Sequence, residues 1–163
     1  MTVIENILVP PNNQLSKNPI SSLMRPNSRQ EESERIEKAY SILESLEIAH
    51  VANNLAGNLS GGQSKLVDIA RALMGSPKIL MLDEPVAGVA SVLAEKIFQN
   101  LRTLVNDTGI SILVIEHNMD FILRLGVDRI IVMNSGKILM EGTSDEVRNN
   151  KSVIEAYLGS SME

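Results

Sequence analysis

The segment Leu59–Gln63 combines residue types that could bind a phosphate. It reads Leu-Ser-Gly-Gly-Gln and stands where a helix is predicted to begin. A helix N-terminus offers unpaired backbone N–H groups and the positive end of the helix dipole, and two adjacent glycines let a phosphate approach the backbone closely. The alternative is an ordinary capping box, with Ser60 as the N-cap and Gln63 at the third helical position. The segment alone does not separate these two interpretations.

Two adjacent carboxylates, Asp83 and Glu84, end the short apolar run Ile79–Leu82, which is the pattern of a buried strand. At such a strand end an aspartate can lie near a phosphate-bound Mg²⁺, and a following glutamate can polarise an attacking water. Nucleotide hydrolysis needs both. The alternative is a pair of solvated acids at a strand end, but the pair follows the Gly-Gly segment by one helix and one turn, which favours the first interpretation.

A third candidate, His117, follows another apolar run that ends at Glu116. A single histidine at a strand end is more often a surface or core residue than a catalytic group, and Glu116 or Asp120 could simply hold its protonation state. Its place after the other two motifs is what favours a functional role.

The hydrophobic periodicity predicts the elements that position these residues. Apolar residues recur at three- and four-residue spacing over Arg29–Ile48, which predicts an amphipathic helix, and the prolines of Pro10–Asn27 predict a loop. A Gly-containing turn between two apolar runs predicts a hairpin near the C-terminus. The other predicted elements are a helical turn over 1–9, helices over 61–74, 91–107, 118–125 and from 143, and strands over 78–83, 110–115, 129–133 and 137–141. This order predicts an α/β fold.

Composition bounds the class of protein. The chain has 163 residues, 44% of them hydrophobic, which suits one globular domain or a piece of one. Its net charge is −5 and its basic residues are scattered, which argues against a nucleic-acid surface. Cysteine is absent, which excludes disulfides and fits a cytosolic protein. No apolar run approaches the roughly 20 residues that cross a bilayer.

In this order the three motifs resemble those of ABC-type ATPases. The signature motif corresponds to Leu59–Gln63, the Walker B strand to Ile79–Glu84 and the switch histidine to His117. The chain is most similar to ATP-binding subunits of branched-chain amino acid uptake transporters, and the opening segment resembles the one that follows the glutamine loop of the family. The stretches that carry this closer similarity are Met1–Val9, Val114–Asp120, Glu141–Val147 and Val153–Gly159.

The resemblance implies a partial P-loop NTPase fold of the ABC ATPase type. It implies a helical signature subdomain over residues 1–75 and the C-terminal part of the RecA-like ATPase core over 76–163, with a mainly parallel sheet, flanking helices and a C-terminal hairpin. The phosphate loop GxxxxGK[ST] is absent from the sequence, because the single Gly-Lys pair, Gly136-Lys137, precedes Ile138. We expect that loop to lie upstream of Met1, and we expect apolar sheet faces to be exposed.

The resemblance also implies how the signature acts. Two ABC ATPase domains pair head to tail, and each ATP lies between the phosphate loop of one domain and the signature of the other. Ser60, Gly61 and Gly62 would contact the γ-phosphate of an ATP held by the partner, with Leu59 and Gln63 completing the motif.

In the same scheme, Asp83 would hold Mg²⁺ through water, Glu84 would be the general base and His117 would contact the γ-phosphate. These three residues serve a different composite site from the signature. After the acids, Ala87–Ser91 departs from the family pattern, because Ala90 replaces the usual Asn or Asp. Communication between the two sites is therefore in question.

The function implied is that of an ABC transporter ATP-binding subunit, which couples ATP binding and hydrolysis to amino-acid import. Its partners would be a second ATPase domain and permease subunits, and its place would be the cytoplasmic face of the plasma membrane. Without a phosphate loop, we expect the chain to be inactive alone. Two alternatives stay open: a non-catalytic remnant that only donates a signature, and a soluble ABC ATPase without a transport role.

Overall fold

A computed structural model describes residues 1–9 and 28–158 of the chain. The predicted loop Pro10–Asn27 lies outside the described residues. The chain divides into two compact units, Met1–Val114 and Ile115–Glu163. The subdivision at residue 75, which follows from the family resemblance, stays a prediction.

The first unit is built mainly from helices that share one apolar core. Its α-helices are α1 (Val3–Leu8), α2 (Ser28–Ser45), α3 (Gly61–Leu73) and α4 (Ser91–Thr108), with two short 3₁₀ turns at Ala49–Val51 and Ala56–Asn58. The side chains of Ala39 and Leu43 on α2, and of Leu46 directly after it, are fully buried, at the spacing that places them on one face. Acidic residues of the same helix are exposed. The amphipathic helix predicted over 29–48 is confirmed, with its end at Ser45.

The chain turns sharply between α3 and the first strand. Ser76 has a φ of 47°, in the left-handed region. Lys38, from α2, donates hydrogen bonds from its Nζ to the carbonyl of Met74 at 2.9 Å and to the Ser76 hydroxyl at 2.6 Å. A cation at the C-terminus of a helix neutralises the negative end of its dipole. The end of α3 is therefore held by the neighbouring helix as well as by its own turn.

Strands β1 (Ile79–Asp83) and β2 (Ser111–Ile115) form a two-stranded sheet, which belongs to the first unit except for the last residue of β2. The Ser111 N–H donates to the Lys78 carbonyl at 3.1 Å, so the strands start side by side and run in the same direction, with α4 as the crossover. Leu80 is buried, whereas Ile79 and Met81, on the other face, are 62% and 69% exposed. The continuous apolar run suggests burial on both faces, but only one is covered here, which agrees with the expected exposure of apolar sheet faces.

The second unit contains the predicted hairpin. Strands β3 (Ile130–Asn134) and β4 (Lys137–Gly142) pair antiparallel, with a register irregularity between Val132 and Met133. The two turn residues, Ser135 and Gly136, both have positive φ, 48° and 74°, as a tight two-residue hairpin turn requires. The helices of this unit are α5 (Met119–Arg124), α6 (Ser144–Arg148), α7 (Lys151–Val153) and a π-helical turn at Ile154–Leu158.

Candidate functional site

The start of α3 carries the signature segment. The Ser60 hydroxyl accepts a hydrogen bond from the Gln63 N–H at 3.3 Å, and the Gln63 Oε1 accepts one from the Ser60 N–H at 3.0 Å. This capping box is present, but it engages only the N–H groups of Ser60 and Gln63. The N–H groups of Gly61 and Gly62 lie in the first turn, where a helix has no acceptor of its own. The box and a phosphate site are therefore compatible, and Leu59, just before them, packs against the core of the first unit.

The two glycines of the signature have different surroundings. A Cβ added to Gly61 would have no atom within 4 Å. A Cβ added to Gly62 would overlap Cδ2 of Leu93 and lie 3.1 Å from its Cγ and 3.6 Å from Cγ1 of Val89. Gly61 is open to solvent, whereas Gly62 is buried against the segment that follows the acid pair. Sequence reasoning missed this contact, because residues 31 positions apart meet only through tertiary packing.

The acid pair stands at the end of β1. Asp83 is the last residue of the strand and is exposed. Glu84 is half-buried and has a φ of 44°, in the left-handed region that few non-glycine residues adopt. The Ala87 N–H donates to the Glu84 carbonyl at 3.1 Å, which closes a tight turn around the buried Pro85. Such a backbone costs about 1–3 kcal/mol and persists where the surroundings enforce it, as at functional sites.

The signature and the acid pair lie at the same end of the first unit. Helix α3 has 13 residues and β1 has 5. They are therefore about 20 Å and about 17 Å long. The short turn over 74–78 reverses the chain between them, so the start of α3 returns toward the end of β1. The approach of Gly62 to Val89, five residues after Glu84, supports this arrangement.

His117 follows β2 and is exposed. The next residue, Asn118, caps α5, because its Oδ1 accepts a hydrogen bond from the Phe121 N–H at 3.0 Å. The backbone is thus fixed directly after the histidine. His117 belongs to the second unit and Glu84 to the first, so a shared role of the two stays a prediction.

The donor set for a metal is small. In the described parts of the chain, no three His, Asp or Glu side chains are grouped so that they could hold a metal ion. Mg²⁺ is commonly bound by one or two carboxylates together with water and phosphate oxygens. The exposed carboxylate of Asp83 fits that mode of binding.

None of the described helices is both long and apolar enough to cross a membrane.

Solved structures define the class of protein. The fold matches the ADP conformation of an ATP-binding cassette of an ABC transporter with a TM-score of 0.78 and 42% identity, over 98% of this chain and 63% of that one. It also matches a dimeric bacterial ABC transporter cassette with a TM-score of 0.64 and 31% identity, over 88% of this chain and 57% of that one. The fold is that of an ATP-binding cassette.

Sequence comparisons agree with the structures. The ABC transporter family model matches residues 2–87, more than half of the chain, and a model of branched-chain amino acid ATP-binding cassette transporters matches residues 137–162. The chain belongs to the ABC transporter family. This confirms the resemblance found in the three motifs.

Two curated relatives show how much of a cassette the chain represents. It is 43% identical to the probable branched-chain amino acid transport ATP-binding protein LivG of Methanocaldococcus jannaschii, over 98% of this chain and 62% of the relative. It is 40% identical to the high-affinity branched-chain amino acid transport ATP-binding protein LivG of Escherichia coli strain K12, over 98% and 62%. The chain thus spans 62% of the length of these relatives.

Proposed function

We propose that this chain acts in an ATP-binding cassette that couples ATP binding and hydrolysis to the import of branched-chain amino acids. One structural observation carries the proposal: the start of α3, with its Gly-Gly pair, lies at the same end of the first unit as Asp83 and Glu84. The relatives named for branched-chain amino acid transport support the choice of substrate. Permease subunits at the cytoplasmic face of the membrane are the partners that this role requires.

The signature would bind the γ-phosphate of an ATP held by a second cassette. The N–H groups of Gly61 and Gly62 can donate to phosphate oxygens at the positive end of the α3 dipole. The Ser60 hydroxyl accepts from Gln63 and keeps its own proton to donate. The first turn of α3 contains no carboxylate that would repel the anion.

The acid pair and the histidine would act on a different nucleotide. Glu84, held in place by its turn, would orient the attacking water and accept its proton. Asp83 would hold Mg²⁺ through water, and the ion supplies positive charge that offsets the phosphate charge. His117 would contact the γ-phosphate of the same nucleotide.

A complementation experiment tests the signature. The chain is mixed with the Methanocaldococcus jannaschii cassette, whose own signature has been disabled by substitution, and turnover of Mg-ATP is measured. We expect the wild-type chain to restore turnover. Ser60→Asp should reduce this turnover by about 100-fold or more, because removing one stabilising donor costs about that much and the new charge repels phosphate. Aspartate is as good an N-cap as serine, so α3 should stay folded.

Asn150→Asp is the matched control, because the Asn150 side chain caps α7 and, as at α3, no acid lies in the first turn of that helix. It should leave turnover unchanged. Turnover by Ser60→Asp at the wild-type level would contradict the proposal. The chain alone should give negligible turnover of Mg-ATP. Clear turnover of the isolated chain that disappears in Glu84→Gln would instead show that it completes a site without a partner.

The transport role needs a separate test. The cassette would be reconstituted with branched-chain amino acid permease subunits in liposomes, and uptake of labelled leucine would be followed. ATP-dependent uptake is expected. Turnover of ATP without any binding to the permease would favour a soluble role.

A further inference from the structure

Leu93 and Val89 fill the space beside the second signature glycine. Both follow Glu84 in the chain, and Leu93 lies in the first turn of α4. Local hydrogen bonds order the segment between Glu84 and α4. The Val89 N–H donates to the Val86 carbonyl at 3.0 Å, and the Ala94 N–H donates to the Ala90 carbonyl at 2.9 Å. The start of α3 therefore rests on a well-defined apolar surface.

Helix α4 is held against the end of α2 by residues that follow Leu93. The buried Asn100 donates from its Nδ2 to the Leu46 carbonyl at 3.0 Å, at the end of α2. Lys96 pairs with Glu47 at 2.6 Å in the same region. A buried amide whose partner is removed costs about 1–3 kcal/mol, so α4 resists movement away from α2. A group inserted between Gly62 and Leu93 would therefore displace the first turn of α3 or the Leu93 side chain before it displaces α4.

We propose that Leu93 is a positioning residue for the signature, and the inference rests on the proposed function. Through its contact with Gly62, Leu93 sets where the first turn of α3 lies. Leu93 thereby connects the signature to the segment that follows Asp83 and Glu84. The signature and this acid pair would serve different nucleotides.

The two signature glycines then have separate reasons to be glycine. At Gly61 the open space allows a phosphate to approach the backbone, and a methyl group there would meet the ligand. At Gly62 a methyl group would meet Leu93. Shortening Leu93 to alanine removes both its Cδ2 and its Cγ, which makes room for the Cβ of an alanine at position 62. Only the defect at Gly62 should therefore be corrected by a change at Leu93.

The test measures ATP turnover in the complementation experiment for five variants of the full chain. Gly62→Ala should lower turnover by about 10- to 100-fold, as expected for a small displacement of a catalytic group. Adding Leu93→Ala to Gly62→Ala should restore turnover to within about threefold of the wild type. The double variant should therefore be more active than Gly62→Ala alone. Gly61→Ala should also lose turnover, and Gly61→Ala with Leu93→Ala should not recover. Val92→Ala, at a neighbouring side chain that is 83% exposed, should change nothing.

If Leu93 had a purely structural role, turnover in each variant would follow the fraction of folded chain measured by circular dichroism, whereas a positioning role lowers the turnover of Gly62→Ala while the chain stays folded. Full turnover in Gly62→Ala, or no recovery in the double variant, would overturn the proposal. Amide hydrogen exchange of Gln63 and Ser64, whose N–H groups donate to Ser60, gives a second reading in the isolated chain. Exchange should accelerate in Gly62→Ala and slow again in the double variant. If the wild-type chain restores no turnover, the proposed function fails, while the exchange pattern still decides whether Leu93 positions this turn.

Discussion

Three described helices, α1, α3 and α6, begin with the same reciprocal capping box, and two of them, α3 and α6, differ in what they can bind. We name these two the α3 box, residues Ser60–Gln63, and the α6 box, residues Thr143–Glu146. The reciprocal hydrogen bonds measure 3.0 and 3.3 Å in the α3 box and 2.7 and 3.4 Å in the α6 box. The residues inside the boxes differ, Gly-Gly in the first and Ser-Asp in the second. The hydrogen bonds start the helix, and the enclosed residues decide whether an anion can approach.

Charge separates the boxes further. The α6 box ends in a carboxylate, and hydrogen bonds from the Thr143 backbone and then its hydroxyl hold the pKa of Glu146 below its usual value. Asp145 adds a second carboxylate to that first turn. In the α3 box the same position is the neutral Gln63, and its first turn contains no acid. A phosphate is therefore repelled by one box and attracted by the other.

The largest expected effect comes from exchanging the enclosed residues. Replacing Gly61 by Ser and Gly62 by Asp gives the α3 box the interior of the α6 box. Both the close approach of phosphate and the contact with Leu93 are lost, so turnover in the complementation experiment should fall by about 100-fold or more. The reverse exchange, Ser144→Gly with Asp145→Gly, should leave turnover unchanged.

The reverse exchange is also informative about stability. Glycine in a helix costs roughly 1 kcal/mol relative to alanine, so urea unfolding should show a modest loss. Turnover that survives the exchange in the α3 box would mean that the capping geometry alone carries the function. The residues enclosed by the box would then not determine whether it binds phosphate.

The features that could be predicted from the sequence are those set by residues close together in the chain. Both capping boxes could be predicted, because each joins residues three positions apart. The order of helices, strands and hairpin followed from hydrophobic periodicity and turn residues, and the family followed from the order of three motifs. Each of these signals is local in the chain.

Other features depend on packing between distant segments. The burial of Gly62 against Leu93 could not be predicted, because nothing in a Gly-Gly pair shows which glycine is covered. The left-handed backbone of Glu84 could not be predicted either, since no glycine or asparagine marks that position. The apolar run Ile79–Leu82 predicted the strand, but whether Met81 is covered depends on what packs beside it.

A smaller and equal effect is expected when either cap is removed. Ser60→Ala and Thr143→Ala each delete the side chain that accepts the N–H of the third helical residue. Each should lower the free energy of unfolding by about 1 kcal/mol, which urea titration followed by circular dichroism can measure. Similar losses would confirm that the two caps are structurally equivalent. A much larger loss for Ser60→Ala would show that the start of α3 contributes more than capping.

The smallest expected effect is a difference in acid sensitivity. Because the pKa of Glu146 is lowered in the folded protein, its stabilising contribution is fully present above the ordinary value of 4.5 and is lost as the pH falls through the lowered pKa. Glu146→Gln should therefore make the urea midpoint fall less between neutral and acidic pH than it does in the wild type. Gln63→Glu should do the opposite, because it gives the α3 box the same ionisable partner.

Glu5 also has a lowered pKa, through the backbone N–H and then the hydroxyl of Thr2, so some acid sensitivity should persist in every variant. Identical acid dependence in all three proteins would show that neither box responds to the charge of its third residue.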